Sequence, residues 1–267
     1  MANLQSMTVR LGDLRRAGQR HEETLKIAEQ HGVVSFIRWQ RAEMSIQRYW
    51  QGRWDEALAA ADAFIEEVEA GSPHYMEFLC RHVRGEILLA GGEAEAALAE
   101  ARRAREVAQA VKDPQALNPA LAFEARAQVV AGDHSSANAV VDELLAIWSG
   151  NGVRSGTESV DGAWALAELG RSDELSAALN RASPSTLWHE AALRLSAGDF
   201  AGAADVYAEM GSVPDEAYAR LRAADAFVRA GRRGEADKQL RLALPVFAQL
   251  GATAWAAEGQ SLLAESA

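Results

Sequence analysis

The sequence has little cysteine, proline or aromatic side chain, and each scarcity excludes something. A single cysteine, Cys80, stands in 267 residues, so no internal disulfide framework and no thiolate cluster for structural zinc can form. Six prolines occur. Pro73, Pro114, Pro119, Pro184 and Pro214 fall before or near the start of a helical run, where a missing N–H is tolerated. Pro245 falls within the apolar pattern of 242–250 and is expected to kink that helix or mark its first turn. Aromatics make up 7% of the chain against 49% hydrophobic residues overall, so alanine and leucine do the burying, as in closely packed helices rather than sheets. No run approaches 18 apolar residues, and residues 1–20 lack the apolar core of a signal peptide, which points to a soluble, cytoplasmic chain. Basic residues number 27 against 38 acidic, a net charge of -11, which disfavours nucleic acid or an anionic membrane as a partner. The basic run Arg102, Arg103 and Arg105 is flanked by Glu100 and Glu106 and reads as a solvated helix face.

What the sequence does contain is a repeated phrase. Gln51-Gly52-Arg53-Trp54-Asp55-Glu56-Ala57-Leu58 returns, altered, at Gly92, Gly132, Gly170, Gly198 and Gly231, with the faintest copy at Gly170. The successive intervals are 40, 40, 38, 28 and 33 residues, and one helical hairpin fits within each. The glycine closes one helix in the left-handed conformation, and carboxylates such as Asp55 and Glu56 open the next at the positive end of its dipole. Small residues stand five positions after the glycine (Ala57, Ala97, Ala137, Ala203, Ala236) and seven before it (Ser45, Gly85, Ala125, Ala163, Ala191, Ala224). They mark where paired helices cross closely.

The expected fold is therefore all-α: a superhelix of about seven hairpins in one continuous array over 1–267, with 252–265 as a capping helix. The first hairpin reads as 3–17 and 20–31 around Gly18. Turn formers at 149–157 divide the array, giving an N-terminal half 1–149, an irregular loop 150–157 and a C-terminal half 158–267. Gly150-Asn151-Gly152 follows no strand and precedes no Gly-Lys-Ser/Thr, so it does not read as a phosphate cradle.

With spacing, small contact residues and turn phrase together, the chain resembles the tetratricopeptide repeat (TPR) family over nearly its whole length. The long intervals, the segment 49–69 and the ending Leu250-Gly251-Ala252-Thr253-Ala254-Trp255 look most like the repeat region of bacterial cyclase proteins with a STAND-type ATPase and of LuxR-type regulators. This resemblance implies a detached sensor or interaction array, since no cyclase, nucleotide-binding or DNA-binding segment is visible. In such arrays the first helix of each hairpin lines the concave surface. The candidate groove residues are then Trp39, Tyr49, Trp50, His82, Glu86, Arg126, Trp188, Tyr218, Asp225 and Arg229, with inter-helix packing as the competing reading of the aromatics and core packing the reading of Trp54. The Lys and Asn positions with which the family grips a C-terminal carboxylate hold Ala42 and Ile46, His82 and Glu86, Ala122 and Arg126, Trp188 and Ala192 here, which argues against such a clamp.

No catalytic pattern emerges. The histidines lack a His-Glu-x-x-His spacing, a metal set of His74, Cys80 and His82 has little to recommend it, and Cys80 follows an apolar Phe78-Leu79 without a basic partner. No cofactor or metal is called for. The expected function is a noncatalytic scaffold binding a protein or peptide, with a small-molecule-sensing array that regulates a separate ATPase, cyclase or transcription domain as the alternative. A protein client predicts a long exposed groove, and a metabolite predicts a closed pocket with convergent polar groups.

Overall fold

The computed structural model describes residues 2–154, 156–181 and 185–266, without the side chains of 2–6, 151, 265 and 266; Pro184 lies outside the described residues. Every regular element among them is helical. In chain order these are α1 (Ala2–Leu11), α2 (Leu14–His31), α3 (Val34–Trp50), α4 (Trp54–Glu69), α5 (Glu77–Gly91), α6 (Ala94–Val111), α7 (Pro114–Val130) and α8 (His134–Asn151). There follow α9 (Thr157–Glu168), α10 (Ser172–Leu179), α11 (Leu187–Ser196), α12 (Phe200–Met210), α13 (Val213–Arg229), α14 (Arg233–Leu250) and α15 (Thr253–Ser266). They form seven stacked hairpins and a terminal helix, the expected TPR-like all-α superhelix.

The turn phrase has one geometry throughout. Gly52, Gly92, Gly132, Gly170, Gly198 and Gly231 all take positive φ, between +70° and +88°. The residue after each returns its N–H to the carbonyl five positions back, as in Arg53 to Arg48 (2.9 Å), Glu93 to Leu88 (2.9 Å) and Arg232 to Phe227 (2.8 Å), which satisfies a carbonyl left over at the helix end. Where aspartate follows, it also caps the next helix: Asp133 accepts from the Ser136 N–H and Asp199 from the Gly202 N–H. The small residues before and after the glycines are all buried. A Cβ on Gly85 would stand 2.4 Å from the Phe123 ring, so glycine there lets α7 close on α5.

The first turn lies at Gly12 rather than Gly18. Gly12 has φ +88°, the Asp13 N–H reaches Thr8 O at 3.0 Å, Asp13 caps α2 through the Arg16 N–H, and Ala17 is buried. Gly12-Asp13 is thus another copy of the phrase, 40 residues before Gly52. Gly18 lies inside α2, where a Cβ would meet the Gln51 side-chain amide at 2.3 Å; it is a packing glycine, not a turn. Pro119 and Pro245 both lie inside helices, α7 and α14, and α8 runs on to Asn151, which shortens the loop before α9.

The array is wound so tightly that helices five hairpins apart meet. Helix α1 touches α11, α3 touches α13, and α5 touches α15. The Trp188 indole N–H donates to the Val9 carbonyl at 2.7 Å across 179 residues. Trp50 packs on Trp188 with ring centroids 5.5 Å apart, and Trp54 meets Trp255 edge-on at 6.0 Å. Turn glycines line this seam: an added Cβ would lie 3.0 Å from Leu187 at Gly12, 3.1 Å from Val213 at Gly52 and 3.1 Å from Ala254 at Gly92. The seam closes the space that an open superhelix leaves as a concave groove.

Candidate functional site: an axial pocket over a buried ionic floor

The first helices of the hairpins surround the axis of the ring, and their polar side chains converge there. Arg126 of α7 donates from Nη1 to Glu86 of α5 at 3.0 Å and to Asp161 of α9 at 2.8 Å. Tyr49 of α3 donates its hydroxyl to Glu86 at 3.3 Å. His82, one turn before Glu86, holds Nε2 3.4 Å from Asp161 and rests against Phe123 at 4.6 Å. From α13, the Tyr218 ring covers the Arg126 guanidinium at 5.3 Å, and Asp215 accepts the Ser212 hydroxyl at 2.5 Å. Apart from the half-buried Tyr218, all of these side chains are buried.

Burial governs their charges. Desolvation pushes the Glu86 carboxyl up to about 7 and Asp161 and Asp215 up to about 6, with Arg126 opposing the rise in each. It pulls His82 down to about 4, so the imidazole is neutral at pH 7. The floor therefore holds three carboxyl groups against one guanidinium. His82, Glu86 and Asp161 bring ligand atoms within 4.8 Å of one another, as a metal site requires. Arg126 stands within hydrogen-bonding distance of two of the three and supplies the cation that a metal would. The donor set reads as an ion-pair network.

Above the floor, at the N-terminal ends of α5, α7 and α9, opens a cavity of about 270 Å³. Trp39, Glu43, Ile46 and Trp50 of α3 form one wall, Tyr75, Met76, Phe78 and Leu79 a second, and Asp113, Gln115, Pro119, Arg154 and Glu158 the third; Val9 and Arg10 of α1 also contribute. Trp50 and Glu158's neighbour Thr157 line both this pocket and the crevice of about 10 Å³ over the floor. The Trp39 ring stacks with Phe36 at 5.8 Å. Glu158 accepts from the Trp148 indole at 2.6 Å and the Arg154 N–H at 3.1 Å, and Asp113 caps α7 through the Gln115 N–H at 2.9 Å. Glu43 has no ion-pair partner among the described residues, and burial alone pushes its carboxyl up to about 7.

The structure divides the ten candidate residues. Trp39 and Trp50 line the pocket. Tyr49, His82, Glu86 and Arg126 form the floor, with Tyr218 beside them. Trp188 is fully buried and fastens α11 to α1 and Trp50, so it is no groove anchor. Asp225 and Arg229 pair with each other at 2.8 Å toward the exposed end of α13, with Arg229 78% exposed, and do not join the others. An exposed aromatic concave surface is thus replaced by a filled interior, because the ring closes over it. Trp54 is core, stacked on Tyr49 at 5.5 Å.

Glu43, Tyr75, Asp161 and Asp215 complete the site beyond the expected residues. Glu43 carried a signal, lying four residues after Trp39 and seven before Trp50 on one helix face. Asp161 is the lone charge within Ser159-Val160-Asp161-Gly162-Ala163-Trp164, a position that calls for a buried partner. Cys80 is fully buried; burial pushes its thiol up to about 12, with the Ser45 hydroxyl opposing the rise, which is the setting of an inert structural thiol. No helix among the described residues is long and apolar enough to cross a membrane.

No protein-family model matches the sequence, and no curated protein matches it. Among solved structures, a tetratricopeptide repeat protein from Parabacteroides merdae ATCC 43184 superposes with a TM-score of 0.44 at 14% identity, over 99% of this chain and 96% of its own.

Proposed function

We propose that the chain is a noncatalytic binding module that holds a compact ligand in the axial pocket. The observation that carries this reading is the closure of the ring. The concave face, where a helical-repeat protein would lay a peptide, is filled by Trp50, Trp188, Tyr218 and Trp255 from opposite sides. Beside it a half-open pocket of about 270 Å³ has aromatic walls and a few convergent polar groups, the form of a small-ligand site near the lower end of the usual size range. A regulatory role for that ligand is supported by the resemblance of the repeats to those of cyclase, ATPase and LuxR-type signalling proteins. Ligand between α3, α5 and α7 would favour one spacing of the first helices, the kind of change a tethered domain senses.

The scaffold reading draws on a different feature, the exposed Val33 and Val34, the latter 68% exposed, at the turn into α3. The two are separated by titrating the purified protein with a set of small metabolites while following thermal stability and tryptophan emission. A saturable response that disappears in Trp39→Ala, with far-ultraviolet circular dichroism unchanged, supports the pocket. Silence across the set, together with stoichiometric capture of one protein that is lost in a Val33→Asp, Val34→Asp variant, moves the function to the outer surface.

A further inference from the structure

Resting on the pocket reading, the geometry points to the class of ligand: we infer that the axial pocket binds a compact organic ammonium ion, its charge met by Glu43 and its alkyl groups by Trp39, Trp50, Tyr75 and Phe78. Four aromatic rings and three carboxyl groups, those of Glu43, Asp113 and Glu158, line a space of about 270 Å³. Aromatic faces attract a cation through their quadrupole, and a desolvated cation gains most from them.

The other two carboxyl groups of the pocket are committed elsewhere. Asp113 caps α7, and Glu158 accepts two N–H donors. Arg154 lies toward Gln115 at 3.4 Å, and Arg10 is exposed at the mouth. Glu43, half-buried in the pocket wall, has no donor or cation among the described residues. A partly desolvated carboxylate without a partner is unfavourable in the empty protein, and a ligand that brings the missing positive charge offsets that cost. The wall adds an acceptor. Pro119 has no N–H, so the helical hydrogen bond that the Gln115 carbonyl would receive is absent, and both residues line the pocket. The arginines at the mouth set the net charge of the ligand. A second positive charge would meet Arg10 and Arg154, whereas an acidic tail would not, so a single ammonium, free or in a zwitterion, is the match. A net charge of -11 draws such a cation toward the protein.

The test uses the full chain, with choline and ethanolamine as probes and 3,3-dimethyl-1-butanol as the uncharged isostere of choline, all at matched ionic strength. Thermal unfolding and tryptophan emission are read for the wild type, Glu43→Gln and Trp39→Leu. At least one ammonium is expected to stabilise the wild type saturably, the isostere to have little effect, and Glu43→Gln to weaken ammonium binding at least tenfold while itself unfolding no earlier than the wild type. Equal responses to choline and its isostere, or undiminished ammonium binding by Glu43→Gln, overturn the ammonium assignment and leave the pocket reading standing. No response to either ammonium, while a neutral or anionic metabolite binds and loses binding in Trp39→Leu, has the same meaning. No response to any small molecule overturns both.

Discussion

At the scale of single residues, the ionic floor makes a strong demand on Arg126. Among the described residues it is the one cation paired with Glu86 and Asp161, and Tyr49, His82, Asp215 and Tyr218 face the same space from α3, α5 and α13. Replacing it with methionine keeps the volume and strands two carboxyl groups, a change expected to cost about 3 to 5 kcal/mol near pH 8. Chemical denaturation at two pH values checks this, because the loss is expected to shrink near pH 5, where Glu86 and Asp161 take up protons. The wild type has its own pH signature. Glu43, Glu86 and Glu158 titrate near 7 in the folded chain and near the ordinary carboxylate value when unfolded, so between pH 8 and 6.5 the folded state binds more protons. Stability is expected to rise as pH falls through that window, by on the order of 1 kcal/mol. Below about 6.5 the buried His21 and His82, both pulled down to about 4 by burial, oppose the trend, since the unfolded chain then protonates its histidines first. A midpoint that falls steadily from pH 8 to 6.5 would show that these carboxyl groups are solvated.

At the scale of the elements, the hairpin was legible because its determinants are local. A glycine able to take positive φ, an acidic first turn and a small residue at each crossing all lie within about a dozen residues of one another, and the structure uses them as the pattern implies. The first hairpin shows where this reasoning fails. By sequence the turn falls at Gly18, but the positive φ at Gly12 and the cap from Asp13 place it at Gly12, and Gly18 lies inside α2 under the Gln51 side chain. The turn glycines also differ in a way that local pattern cannot show. Gly52 faces Val213 and Leu250 across the seam, whereas nothing lies within 4 Å of a Cβ on Gly132. Alanine at Gly132 (φ +80°) is expected to cost about 1 to 2 kcal/mol, from conformational strain alone. Alanine at Gly52 (φ +74°) adds overpacking of the seam and is expected to cost at least about 1 kcal/mol more. Equal losses in urea melts of the two variants would mean that the seam gives way without resistance.

At the scale of the whole molecule, ring closure is the feature that escaped the sequence, and it decides what the interior does. It depends on the summed rotation of seven hairpins, and no residue encodes that sum. Trp188 could be placed on a first helix from its spacing, but its partner Val9 lies 179 residues away. The same closure turned the expected groove into a buried network and a pocket. It also carries a thermodynamic consequence. In an open repeat array each hairpin touches only its neighbours, so stability is a sum of local terms and the ends can unravel first. Here α1 holds α11, α3 holds α13 and α5 holds α15, so neither end can leave without breaking contacts in the opposite half. The wild type is therefore expected to unfold in one transition, with tryptophan emission and far-ultraviolet circular dichroism coincident in urea. Trp188→Ala removes a fully buried indole, for which about 3 to 5 kcal/mol is typical, and also opens the seam. In that variant the two probes are expected to separate, as one end unravels before the middle. Separation already present in the wild type would show that the ends are held no more firmly than those of an open superhelix, and coincident curves in Trp188→Ala would place the coupling between the halves in the ionic floor instead.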